Sequence, residues 1–296
     1  MELELIQTLK GHKKPINDLA WDPDGLTLAS AAEDCLVILW DPLSGKSCQV
    51  LDQHQAGVLY LNWSPCKKYL ASGDRDSVVC VRDYIDNSCW KVQLQGGSIM
   101  KLTWLLERQL LASYVTDRSI RIWSVPAKSE VRRIALDEDM RDFIWITEGI
   151  LLVSLDDKAL LCYMDKDSKN VLLYPMESQE LISGNYRMPN GSLIPNPSSS
   201  YLDFCNRGTK EKITSMITNN KSIQSIFPSL KHPLVATSSL DGSLSLIQTE
   251  TLEKKTISGL STDPPAGRQF AFHPKWPVFA VLNEDRKLIQ IWKINY

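Results

Sequence analysis

The side chains able to do chemistry in this chain are few, and their spacing argues against catalysis. The only four histidines are His12, His54, His232 and His273. None belongs to the HExxH pair that sets two imidazoles one helical turn apart for zinc, and no GxSxG or Walker A segment occurs. The seven cysteines (Cys35, Cys48, Cys66, Cys80, Cys89, Cys162 and Cys205) are odd in number, scattered and without a CxxC pair. They read as reduced thiols of a reducing compartment rather than as a metal site or a disulfide framework. Gly96-Gly97-Ser98 has neither the Lys nor the following helix of a phosphate cradle. Aspartate behaves differently. Asp34, Asp76, Asp117, Asp157, Asp241 and Asp285 recur at intervals of 42, 41, 40, 84 and 44. A catalytic acid is needed once or twice, whereas one that returns with a fixed period is turn chemistry. The residues therefore predict no enzyme, no cofactor, no metal site and no small-molecule substrate.

A second marker carries the same period. Trp21, Trp63, Trp104, Trp145, Phe227 and Phe272 each precede a turn and a short apolar run, at intervals of 42, 41, 41, 82 and 45. Both markers skip one copy at the same place, between Asp157 and Asp241. There Pro189-Asn190-Gly191 stands where Pro23-Asp24-Gly25 stands in the first copy. Ser199 or Ser200 takes the Asp place, and Tyr201-Leu202-Asp203-Phe204 reads as the next strand. Between markers lie runs of about five residues rich in Val, Ile, Leu and Trp, bounded by turns such as Leu43-Ser44-Gly45. Several alternate, as in Ile120-Arg121-Ile122-Trp123, and no window carries a helical period. Four short strands in about forty residues make one antiparallel sheet, too small to bury both faces unless it stacks on copies of itself.

Composition narrows the partners. The chain has 296 residues, 43% of them hydrophobic, enough for a sizeable core. A generic domain size of about 150 residues would suggest two domains, but the repeat divides the chain into seven units with almost nothing left over. Lys plus Arg is 33 and Asp plus Glu is 35, a net charge of -2. That balance argues against wholesale binding to nucleic acid. The opening Met1-Glu2-Leu3-Glu4-Leu5 lacks the pattern of a signal peptide. The most apolar stretch, residues 144–155, is broken by Glu148 and Gly149, so no membrane span is expected.

Gly11-His12, Pro23-Asp24-Gly25, Leu28-Ala29-Ser30, Asp34 and Trp40-Asp41 together resemble a nearly complete repeat of the WD40 family. The resemblance extends, weakening, over essentially the whole chain. It implies an all-β, seven-bladed WD40 β-propeller of four-stranded antiparallel blades. Residues 1–296 would form one propeller domain, whole or part of a longer protein, with a degenerate fifth blade at about 171–215. The last copy offers three strands, and residues 1–10 would supply its fourth and close the last blade. A His before the first strand can pin the Asp of the turn between the second and third strands. The pairs on offer are His12 with Asp34 and His54 with Asp76. A Trp ending the third strand (Trp40, Trp123, Trp292) covers that cluster, and its N–H needs a partner. Copy two has Arg82 in the Trp place. In later copies Asp117, Asp157, Asp241 and Asp285 are expected to rely on backbone N–H groups.

The same alignment implies a top face made of the loops before each first strand and between second and third strands. It carries Lys14, Pro15, Asn17 and Glu33, then Leu59 and Arg75, then Met100 and Thr116. Arg141 and Asp156, Gln224 and Leu240, and Arg268 and Glu284 complete it. This mixture suits a protein or peptide ligand rather than the basic stripe of a nucleic-acid reader. The expected function is a non-catalytic scaffold or adaptor, a subunit of an intracellular multiprotein complex in cytoplasm, nucleus or both. The alternatives are a peptide- or substrate-recognition module, such as a histone-tail or ubiquitin-ligase substrate receptor, and a nucleic-acid-binding propeller. Pro42-Leu43 after Trp40-Asp41 lacks the Arg common in ligase receptors of the family. The proline-rich residues 188–200 read as an irregular blade edge or an exposed binding loop.

Overall fold

In the computed structural model the alternation of apolar runs and turns becomes seven four-stranded antiparallel sheets, with no helix among the described residues. The structure describes residues 1–105, 109–140, 142–147, 150–154, 159–164, 171–176, 186–187, 193–194, 201–205, 212–217, 223–229, 231–239, 243–248, 251, 253–257 and 268–295.

The N-terminal strand β1 (Glu2–Lys10) belongs to the last sheet. The first sheet follows with β2 (Ile16–Trp21), β3 (Leu28–Ala32), β4 (Val37–Asp41) and β5 (Lys46–Leu51). The second has β6 (Val58–Trp63), β7 (Tyr69–Asp74), β8 (Val78–Asp83) and β9 (Cys89–Gln93). The third has β10 (Ile99–Leu105), β11 (Leu110–Val115), β12 (Ser119–Ser124) and β13 (Ser129–Ala135). The fourth has β14 (Asp142–Thr147), β15 (Ile150–Ser154), β16 (Ala159–Met164) and β17 (Val171–Met176). The fifth has β18 (Tyr186–Arg187), β19 (Leu193–Ile194), β20 (Tyr201–Cys205) and β21 (Lys212–Ile217). The sixth has β22 (Ile223–Pro228), β23 (Leu234–Ser239), β24 (Leu244–Gln248) and β25 (Lys254–Ile257). The last has β26 (Phe270–Phe272), β27 (Val278–Leu282) and β28 (Leu288–Asn295), completed by β1 in the order β1-β28-β27-β26.

Two sequence expectations meet their outcome here. The N-terminal strand does pair into the last sheet, in antiparallel register from Glu2 opposite Asn295 to Lys10 opposite Leu288, with a bulge between Leu5 and Gln7. The fifth copy begins later than about 171, because Val171–Met176 hydrogen-bonds onto β16 (Ala159 opposite Met176) and so completes the fourth sheet. Of the proline-rich segment, Pro189, Pro195, Pro197, Ser199 and Ser200 lie outside the described residues.

The chain divides into two compact units, one of residues 1–30, 38–50 and 184–296, the other of residues 31–37 and 51–183. In the first, Leu234, Ala236, Leu246, Phe270, Phe279, Val281 and Ile294 form a buried cluster, with Leu3 and Trp292 packed against it. In the second, Tyr69, Val79, Val81, Leu102, Trp104, Leu111 and Trp123 form one cluster. Ile120, Ile122, Ile134, Phe143, Val153 and Cys162 belong to another. The period-two alternation of the strands supplies these apolar faces.

In two copies the marking aromatic is a staple as well as a core residue. The Trp104 indole N–H donates to the Asn62 carbonyl of the preceding sheet at 2.9 Å, and Trp21 donates to the Ala271 carbonyl at 3.1 Å. The recurring Asp introduces a tight turn. In the four described copies the residue after it is left-handed, with φ of 68° at Cys35, 65° at Ser77, 63° at Arg118 and 55° at Arg286. Short polar residues that can hydrogen-bond their own backbone are the usual means of entering such a turn.

Candidate protein-interaction surface

The polar cluster beneath each turn decides which side chains remain free for other work. In the first sheet Ser30 Oγ lies 2.7 Å from His12 Nε2, accepts the Trp40 indole N–H at 2.8 Å and donates to the Ile38 carbonyl at 3.4 Å. The His12 and Trp40 rings meet edge to face, 6.3 Å between centroids. Gly11 is needed beside them, since a Cβ there would sit 2.7 Å from the Trp40 ring. Asp34 accepts the Leu36 backbone N–H at 3.3 Å.

The second sheet corrects the expected pairing of His54 with Asp76. His54 Nδ1 lies 2.7 Å from Asp74 Oδ2, and its Nε2 lies 2.7 Å from Ser72 Oγ. Asp74 is fully buried and its Oδ1 takes the N–H groups of Asp76 and Val78 at 3.0 and 2.8 Å. Those turn bonds aim the other oxygen at His54, while Asp76 itself is exposed. Arg82, in the Trp place, lies over the Tyr84 ring at 5.8 Å and bonds Asn87.

In the third sheet there is no His, and arginine replaces it. Asp117 Oδ2 accepts from Arg121 and Arg133, both at 2.9 Å, and its Oδ1 takes the Ser119 N–H at 2.9 Å. Burial alone would raise the Asp117 carboxyl, but the Ser119 and Arg121 hydrogen bonds outweigh it and hold the group below its usual range. The Trp123 indole N–H reaches Ser113 Oγ at 3.0 Å. In the last sheet Asp285 relies on local donors, the Lys287 N–H at 3.0 Å and the Asn283 amide at 2.6 Å. Trp292 is half-buried and donates to Gln290 at 3.2 Å. Asp157 and Asp241 lie outside the described residues.

The residues expected on the top face divide into several kinds. Within the second unit Arg75 and Glu33 pair in a two-point fork, at 2.5 and 3.2 Å. Ser98 Oγ ties the Arg75 carbonyl at 2.9 Å, and the Thr116 N–H bonds the Ser98 carbonyl at 3.1 Å. Thr116 is exposed, Met100 is half-buried against the core, and Leu59 is buried in β6 rather than presented to a partner. Within the first unit Lys14 and Glu284 are exposed, Pro15 is partly so, and Asn17 is buried in β2. Arg268 is not a free anchor. Its Nε bonds Asp18 Oδ1 at 3.0 Å, and Asp18 is buried. Asp18 also takes the backbone N–H groups of Arg268 and Leu19, at 2.8 and 2.9 Å. The sequence signals Asp18 only as a charged residue in a first strand where Asn17 is the one other polar side chain. Arg141, Asp156 and Leu240 lie outside the described residues, as does the side chain of Gln224 on β22.

Known proteins bear on this arrangement. Residues 3–41 and 45–83 match the family described as "WD domain, G-beta repeat". Over 77 residues the chain is 34% identical to a subunit of chromatin assembly factor 1 from Gallus gallus, covering 26% of this chain and 14% of that protein. Over 240 residues it is 24% identical to a probable beta' coatomer subunit from Schizosaccharomyces pombe, covering 78% of this chain and 29% of that one. The chain thus spans a minor part of the length of these relatives. The crystal structure of "RRP9 WD40 repeats" superposes with a TM-score of 0.74 over 99% of this chain and 100% of that one. At 18% identity that likeness is one of fold.

Proposed function

We propose that this chain, whose residues 3–41 and 45–83 match the WD-domain family and whose fold is that of WD40 repeats, is a non-catalytic scaffold within an intracellular protein assembly. Its propeller would hold protein or peptide partners on the loops before each first strand and between second and third strands. The observation that carries this reading is how the chemically capable side chains are used. His12, His54, His273, Asp74, Asp117 and Asp285 are all committed to turns and sheet clusters. The loop tips keep exposed residues of mixed character, Lys14, Arg75, Thr116 and Glu284, as a protein interface rim requires. Relatives named as components of a chromatin assembly factor and of coatomer support a role inside a larger assembly. The free thiols of six described cysteines fit a reducing compartment, cytoplasm or nucleus.

The test is affinity purification with mass spectrometry, comparing the wild type with a Lys14→Glu/Arg75→Glu/Glu284→Lys variant. Arg268 is left intact, because reversing it would strand the buried Asp18 carboxylate. Loss of a defined set of partners at unchanged folding is expected. Retention of every partner would sink the loop-face reading. A steep salt dependence of RNA or DNA affinity in the same protein would support the nucleic-acid alternative instead.

A further inference from the structure

At the opposite end of the first and last sheets from Lys14 lies an apolar groove of about 320 Å³. The antiparallel order places it there. The β2–β3 and β4–β5 turns share one end of the first sheet, and the loop entering β2 lies at the other. Leu26 comes from the β2–β3 turn, Leu43 from the β4–β5 turn and Trp276 from the β26–β27 turn. Ile6 comes from the bulge in β1, where the register slips between Leu5 and Gln7. Bulges commonly re-aim a side chain next to a site.

The groove is preformed. The His273 ring stacks on Trp276, 4.8 Å between centroids at 3°, and meets Trp21 edge to face at 4.9 Å. His273 Nε2 donates to the Gly25 carbonyl at 3.0 Å, while its Nδ1 accepts the Lys275 and Trp276 N–H groups, both at 3.0 Å. Gly25 makes this contact possible. Its φ is +77°, and a Cβ on it would lie 2.1 Å from His273 Nε2. The turn of the first sheet is thereby locked to the turn of the last.

Of the eight large apolar side chains exposed among the described residues, four line this one groove: Ile6 at 45%, Leu26 at 59%, Leu43 at 76% and Trp276 at 52%. Single exposed leucines need no explanation, but a cluster around a concave surface marks an interaction site. The size selects the occupant. About 320 Å³ is at the low end for a ligand pocket and admits one or two bulky side chains rather than a helix or a domain face. The charge selects it further. Lys293 is the one Lys, Arg, Asp or Glu in the lining, is exposed, and makes no ion pair among the described residues. A second copy of this chain docking groove to groove would bring two Lys293 ammonium groups to one two-fold interface. A carboxylate beside an apolar anchor would neutralise it.

We propose that this groove docks a short linear segment of a partner protein, one or two bulky apolar residues next to an Asp or Glu that pairs with Lys293. The site is separate from the loops of the proposed partner face, so the two experiments fail independently.

The test selects random peptides displayed on phage against the wild-type chain, with counter-selection on a Leu26→Asp/Leu43→Asp variant. Both leucines are exposed, and circular dichroism and melting confirm that the variant folds. The recovered peptides are expected to share a Leu, Ile, Met, Phe or Trp within about two positions of an acidic residue. Synthesised with a fluorophore, they should lose at least about tenfold in affinity for the double variant, as burial of a large apolar side chain predicts. Lys293→Gln should weaken them about two- to fivefold, the range of an exposed ion pair, and Lys293→Arg should restore them. Peptides without an acidic residue, or indifferent to Lys293→Gln, overturn the proposal. So does sedimentation velocity showing a dimer that Leu43→Asp dissolves, which would make a second copy the occupant.

Discussion

Ser30→Ala removes a single oxygen and is expected to be among the most damaging small changes in the molecule. Ser30 is fully buried, and Trp40 and His12 above it are 2% and 7% exposed. The hydroxyl bonds two rings, meeting His12 Nε2 at 2.7 Å and accepting the Trp40 indole N–H at 2.8 Å. Alanine takes this partner from both buried ring nitrogens. At about 1–3 kcal/mol for each buried group left unsatisfied, the loss is about 2–6 kcal/mol. The other two complete sheets calibrate that figure. Ser72 bonds the His54 ring alone, because Arg82 stands where Trp would be, and Ser113 accepts from the Trp123 indole alone. Ser72→Ala and Ser113→Ala should therefore cost about 1–3 kcal/mol each. The three variants remove the same atom, so transfer and cavity contributions cancel in the comparison. Urea unfolding followed by tryptophan fluorescence reads the ranking through the midpoint at unchanged slope. Equal losses in all three, or a Ser30→Ala effect within about 0.5 kcal/mol as for ordinary surface changes, would refute the reasoning.

Two further outcomes follow from the last sheet. Deleting residues 1–9 uncovers the β28 edge and removes the buried Leu9, worth about 1.5–3 kcal/mol before the lost ladder is counted. A melting temperature unchanged by the deletion would contradict this. His273 adds a pH dependence. Burial holds its imidazole below the usual value, against the opposing hydrogen bond to Gly25. The unfolded chain, titrating near about 6.5, then binds the proton more readily than the folded one. Stability is thus fully present above about pH 6.5 and falls as the pH drops below it. Melting curves between about pH 7.5 and 5.5 should show the fall in the wild type and a shallower one in His273→Phe; identical slopes would count against it.

Much of the fold was legible because the repeat forces the same local chemistry many times. The recurring Asp predicted a turn, and the left-handed residue that follows Asp34, Asp76, Asp117 and Asp285 is that turn. The three-stranded last copy predicted the pairing of β1 with β28, since a sheet edge left open is costly. Partners within the polar clusters were less legible. Asp74 and Asp76 are two residues apart, and spacing alone cannot choose between them. The choice is made by backbone N–H groups that fix one carboxylate oxygen of Asp74 and turn the other to His54. Arg121 taking the place of a missing His is invisible for the same reason, because it acts through geometry at Asp117 rather than through a repeated residue type.

Surfaces escape the period altogether. Alignment says which end of a sheet a residue occupies but not what it meets, and ion pairs close over distances no motif spans. Arg75 reaches Glu33 across 42 residues, and Arg268 reaches Asp18 across 250. Arg268 is thereby tied to a buried carboxylate, whereas the Arg75–Glu33 pair stays exposed at its loop tip. The informative residues are those the repeat does not require. Turn tips favour Gly, Asn, Asp and Ser for backbone reasons, so an exposed Leu26, Leu43 or Trp276 in a turn has no local cause. Each is unremarkable in its own copy. Only the packing of first against last sheet, locked by His273 and Gly25, brings them around one concavity. A residue that neither folds its turn nor fills its core, yet converges with others of its kind, is best explained by something it binds.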